Sequence, residues 1–135
     1  MIVTDTSVVV AAFGSWHAQH EVAERALGDR PRLIAHCALE AYSVLTRLPP
    51  PHRAPAPLVR DFLARWFPDP YVALNADGYQ ALIPRLVELG ISGGPVYDAL
   101  VAATARAVSA VLLSCDRRAA HTYERLGAEF RILNP

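Results

Sequence analysis

Five short apolar runs constrain this chain more than any other feature: Ile2-Val3-Thr4, Arg32-Leu33-Ile34-Ala35, Tyr71-Val72-Ala73-Leu74, Ala110-Val111-Leu112-Leu113-Ser114 and Phe130-Arg131-Ile132-Leu133. They are too short for helices and mostly continuous rather than alternating, which is how strands covered on both faces read. Between them the apolar residues recur with a helical period. Val22, Ala26 and Leu27 share a face before Gly28; Leu39, Tyr42, Leu45 and Leu48 form a stripe; Val59, Phe62, Leu63 and Trp66 form another. Leu82, Ile83, Leu86 and Leu89 follow the same spacing, with a kink expected at Pro84 and a stop at Gly90. The Ala-rich stretch 97–108 can pack closely against a sheet. Strands alternating with helices predict an α/β domain, its sheet mostly parallel and covered by helices on both sides. The whole of 1–135 reads as one domain, and the proline-rich stretch 48–57 reads as a stiff connector between two helices.

Composition supports a packed core: 53% of the 135 residues are hydrophobic and only 19% charged. Thirteen basic residues balance thirteen acidic ones, so net charge does not announce a nucleic-acid partner. Every basic residue is arginine. Without lysine, neither a phosphate-binding P-loop nor Schiff-base chemistry is available. Cys37 and Cys115 are too few and too far apart for a disulfide framework, and they suit a reducing, cytoplasmic setting as small packing residues. The first apolar run has no basic flank and is broken by Asp5, unlike a signal peptide. No segment approaches the roughly 20 apolar residues of a membrane span.

Four acids stand at matching places. Asp5 follows the first run, Glu40 comes early in the helix after the second, Asp98 lies near the start of the Ala-rich helix, and Asp116 comes just after the fourth run. Each alone is explained equally well as a helix cap or first-turn acid. In a parallel sheet, however, the residues just beyond the strands gather at one edge, where open α/β sheets bind ligands. Carboxylates converging there repel one another unless a cation intervenes. An all-oxygen donor set suits Mg²⁺ or Mn²⁺ rather than Zn²⁺, and Thr6, Ser7 and Ser114 are placed to orient the acids. Water attack on a phosphodiester is the chemistry such a site serves best.

The segments IVTDTSVVVAAF, LEAYSVLTRL, VYDALVAATA and LLSCDRRAAHTYERLG, in that order across nearly the whole chain, resemble a PIN-domain ribonuclease of the VapC toxin type. The resemblance implies an α/β/α sandwich around a parallel sheet of about five strands. It also implies a Mg²⁺- or Mn²⁺-dependent endoribonuclease held inactive by a cognate antitoxin. By the same resemblance Asp5 and Asp98 are the principal metal ligands, Glu40 and Asp116 the supporting acids, and Ser114 matches a position usually held by a small hydroxyl or amide residue. A homodimer and an apolar antitoxin groove are implied as well, with Phe62, Trp66 and Phe67 as candidates for that groove or, alternatively, for aromatic core. A PIN nuclease of RNA maturation and a non-catalytic binding module on the same fold are the competing readings.

Other groups are weaker. His17, His20, Glu21 and Glu24 have the spacing of one helix face, read here as a solvated polar stripe rather than a metal site. Arg117 and Arg118 follow Asp116 and could meet RNA phosphates or pair with nearby acids. His36, His52 and His121 have no partner at a telling spacing.

Overall fold

The computed structural model describes residues 1–134. The elements run β1 (Ile2–Thr4), α1 (Thr6–Phe13), α2 (His20–Leu27), β2 (Arg32–Leu33), α3 (Ala35–Arg47), α4 (Ala56–Trp66), α5 (Ala76–Leu89), α6 (Pro95–Ala107), β3 (Val111–Ser114), α7 (Ala120–Arg125) and β4 (Phe130–Ile132). The four strands pair in the order β2-β1-β3-β4, all parallel. From β1 the chain moves one way to reach β2, then returns to place β3 on the other side of β1. That reversal opens a crevice beyond the C-terminal ends of β1 and β3. Thr4 is aligned with Leu113 across this pair, and the Asp5 amide donates to the Leu113 carbonyl at 3.2 Å. Position 5 is therefore tied to the end of β3 by the ladder itself.

The third apolar run differs from expectation. It contributes one bridge, Ile34 to Val72, and no regular strand. Its flanks explain the shortfall: Pro70 precedes it, and the Asn75 cap opens a helix immediately after it. Four strands and this bridge make the five places predicted.

Local signals mark several helix ends. Asp5 caps α1, Asn75 caps α5 by accepting from the Gly78 amide at 2.8 Å, and Pro95 opens α6. Gly90 ends α5 in the left-handed conformation at φ 66°, where a side chain would be strained. Pro84 lies within the helix, which runs on to Leu89. Asn75→Ala should lower stability by about 1 kcal/mol, the usual worth of such a cap, as chemical denaturation would measure.

The buried faces are narrower than the apolar stripes suggested. On α3 the core side is Cys37, Ala38, Ala41 and Leu45, whereas Leu39 is 76% and Tyr42 41% exposed. On α5, Leu82 and Leu86 are buried and Ile83 is exposed. Small residues let α3 lie close to α1 and α4, and α6 close to β3, and the larger apolar side chains beside them stay outside. Phe67 belongs to the core, while Phe62 and Trp66 are half-buried, with Phe62 edge-on to Phe13 at 5.3 Å. The 48–57 connector is anchored where the Ala54 amide donates to the Leu45 carbonyl. No helix among the described residues is long and apolar enough to cross a membrane.

Candidate active site

Asp5 is 4% exposed and holds several bonds at once. Its Oδ1 accepts from the Ser7 amide at 3.0 Å, the Ser7 hydroxyl at 2.6 Å and the Val8 amide at 3.4 Å. Its Oδ2 accepts from the Tyr123 hydroxyl at 2.7 Å. Capping therefore uses mainly one oxygen, and Oδ2 keeps acceptor capacity toward the crevice. The Ser7 hydroxyl also accepts from the Cys115 amide at 2.7 Å and lies 3.3 Å from the Ser114 hydroxyl, which in turn accepts from the Asp116 amide at 3.0 Å. Through Ser7 and Ser114 the turns after β1 and β3 are one hydrogen-bonded unit. Substituting either serine would disconnect the two acids.

The remaining acids arrive from α3, α6 and the turn after β3. Glu40 is fixed by the Thr6 hydroxyl, which donates to it at 2.5 Å. Asp98 sits in the first turn of α6. Asp116 accepts from the Arg118 amide at 2.9 Å, so it caps a turn and not α7. All four acids line one pocket of about 60 Å³, together with Thr6, Ser7, His36, Cys37, Tyr97 and Tyr123. One water needs roughly 10–15 Å³, so the pocket has room for several.

The electrostatics follow from that crowding. Burial raises the Asp5 carboxyl above the usual aspartate value, and bonds from Ser114, Ser7, Tyr123 and Val8 offset part of the rise. Asp98 is raised to about 6, first by burial and then by the negative charges of Asp116, Asp5 and Glu40, with Arg118 acting weakly in the other direction. The same burial and the Asp5 charge push the Cys37 thiol far up and hold Cys115 at about 11, so both remain protonated packing groups. Neither is a nucleophile or a soft metal ligand.

The donor set can be tested against a divalent ion. Among the described residues, no three His, Cys, Asp or Glu side chains close on one point as a preformed cage would. Zn²⁺ in a structural site would need such a cage. Mg²⁺ does not, because it keeps several waters and takes one or two carboxylates. The pocket offers carboxylate oxygens, space for waters, and a mutual repulsion that positive charge would relieve. The residues fit a hydrated hard cation.

Residues 2–125 match the sequence profile of the PIN domain. The chain belongs to the PIN-domain family. Within that family it is of the VapC type: it is 51% identical over 133 residues to Ribonuclease VapC40 of Mycobacterium tuberculosis, covering 98% of this chain and 99% of that protein. Ribonuclease VapC27 of the same organism is 38% identical over 128 residues, covering 93% and 92%. The crystal structure of FitAcB from Neisseria gonorrhoeae shares the fold, with a TM-score of 0.70 at 17% identity, spanning 100% of this chain and 98% of that one.

Several residues of this PIN domain escaped sequence reasoning. Tyr123 is hidden because 118 positions separate it from Asp5. His36 could have been found, since it stands four residues before Glu40 and its Nε2 lies 3.7 Å from that carboxylate. Of the two arginines, Arg117 bonds Asn134 at 2.6 Å. Arg118 is 96% exposed beside Asp116 and lines a shallow groove with Thr6, Ser7 and Glu40. The His17–Glu24 stripe does not form one helix face, because α2 begins only at His20. His20 instead bonds the Ala11 carbonyl at 2.9 Å and lies 3.3 Å from Glu24.

Proposed function

We propose that this protein is a Mg²⁺- or Mn²⁺-dependent endoribonuclease and the toxin of a toxin–antitoxin pair. The observation that carries the reading is the meeting of Asp5, Glu40, Asp98 and Asp116 in one pocket at the crevice between β1 and β3. The ribonuclease names of the two mycobacterial relatives support it. When bound, the ion lowers the pKa of a water and stabilises charge building on the phosphate. Asp5 and Asp98 would hold it as principal ligands, with Glu40 and Asp116 as the supporting acids. Thr6 fixes Glu40, and Ser7 and Ser114 keep the Asp5 and Asp116 turns in register. Arg118, exposed and 3.8 Å from the Asp116 carboxylate, would meet a backbone phosphate of RNA in the adjoining groove.

The partner assignment has a physical counterpart. Leu39 and Tyr42 on α3 and Leu58 on α4 are exposed, and Phe62 and Trp66 are only half-buried. In this reading those helices present the apolar face that the antitoxin covers, and the protein dimerises in the cytoplasm. Its two buried free cysteines accord with a reducing compartment.

Expression without a partner should arrest growth within a few generations, and Asp98→Asn should relieve the arrest at equal protein level. Sequencing of RNA 5′ ends after brief induction of both forms should reveal new ends only with the wild-type chain. Growth indifferent to folded wild-type protein, with no new ends, would refute the reading.

A further inference from the structure

Tyr97 lines the acid pocket immediately before Asp98, yet it remains 57% exposed. One face of its ring is already occupied. The imidazole of His36 lies parallel to it and offset, with centroids 5.4 Å apart and planes 2° from parallel. The Nε2 of that imidazole is buried without a hydrogen bond and lies 3.7 Å from the Glu40 carboxylate. Among the described residues no second aromatic ring stacks on Tyr97. The side chain therefore presents one open aromatic face, oriented beforehand by two helices, at the mouth of the pocket that holds the acids.

We propose that Tyr97, backed by His36, is a stacking platform for one unpaired base next to the phosphate that is cleaved. This rests on the ribonuclease reading above and adds to it a means of choosing substrate. An aromatic side chain recognises the flat face of a base and tolerates any base identity. In a duplex both faces of each base are covered by neighbours, and only loops, bulges and ends have a face to offer. Because the tyrosine ring is parallel to and offset from the His36 ring, less side-chain freedom is lost when a base lands on it. Tyr97 and Asp98 are adjacent in sequence, so a base on the ring brings its own backbone to the acids.

Short single-stranded RNAs carrying 2-aminopurine at successive positions, and the same strands annealed to complements, are the probes. The proteins are the Asp98→Asn chain, in which binding is read without cleavage, and its double variants with Tyr97→Phe and Tyr97→Leu. Fluorescence of one probe position should be quenched by the parent and the phenylalanine form, with single strand bound at least tenfold more tightly than duplex. The leucine form should lose the quench and about tenfold in affinity, while its melting temperature is unchanged. In the active background, Tyr97→Leu should slow cleavage of single strand by a similar factor and Tyr97→Phe should not. Leucine binding and cleaving as well as tyrosine would overturn the platform and leave the nuclease reading intact. A wild-type chain that neither binds nor cleaves RNA would overturn both.

Discussion

Asp98→Asn is expected to eliminate RNA cleavage while making the metal-free protein more stable at neutral pH. In the unfolded chain this carboxyl titrates near 4; in the folded protein, burial and the acids around it raise it to about 6. Between those values the folded state retains a proton that the unfolded state has released. Stability therefore falls as pH rises from about 4 to 6, and stays lowered above that range. Asparagine carries no charge and removes the penalty. Its advantage over the wild type should be absent below about pH 4 and complete above about pH 7. A two-unit shift corresponds to about 3 kcal/mol at full value, and the partial exposure of Asp98 reduces this to the order of 1 kcal/mol. Melting curves in EDTA across this pH range would measure it. Added Mg²⁺ should reverse the order, because the wild type then gains binding free energy that the variant largely lacks. Cleavage should fall by more than about 100-fold, since even indirect partners of a metal ligand are worth about 10- to 100-fold. A variant that cuts RNA at the wild-type rate would remove Asp98 from the chemistry.

The same substitution at Asp5 should have the opposite effect on stability. Asp5 Oδ1 accepts from three donors, and the Tyr123 hydroxyl points at Oδ2. An asparagine amide would turn a donor toward donors on one side or the other. The gain from deleting a buried charge is outweighed by the unmatched bond left at a carboxyl only 4% exposed. Two acids of one pocket thus differ in kind. Asp5 is built into the end of β1 and the start of α1, and Asp98 is placed against it from another helix.

This difference also marks what could be read in the sequence. Continuous apolar runs identify strands because burial on both faces leaves no polar positions, and β1, β2, β3 and β4 each fall within or upon a predicted run. Acids just beyond two of those strands are legible because parallel pairing forces strand ends to one edge. Helix faces were harder to assign. Periodicity locates an apolar stripe but does not reveal that small residues will take the inner side, as Cys37, Ala38 and Ala41 do while Leu39 faces outward. The third run was legible as a place and not as a strand, because the chain beside Val72 turns into α5 after one bridge. Contacts such as Tyr123 to Asp5 have no sequence signature at all, since only the assembled sheet brings β1 beside α7.

That contact leads to the remaining expectation. Tyr123→Phe should destabilise the protein by about 2 kcal/mol above neutral pH, in the range for a lost bond to a charged group. The phenyl ring keeps the edge-on packing against Phe130, whose centroid lies 5.8 Å away, so the difference isolates the hydroxyl. Burial raises Asp5, and the Tyr123 hydroxyl is one of the groups opposing that rise. Without it the charged carboxylate is disfavoured further, and the folded state carries a larger penalty wherever the unfolded chain's aspartate is ionised. At acid pH, with Asp5 protonated in both states, the loss should shrink to about 1 kcal/mol, that of a neutral hydrogen bond. Urea unfolding at several pH values in EDTA would separate the two regimes. Cleavage should fall by roughly 10- to 100-fold, less than in Asp98→Asn, because the carboxylate remains and only its orientation is loosened. A loss equal at every pH would mean that Tyr123 serves the core alone, whereas a pH-dependent one ties the packing of α7 to the charge on Asp5.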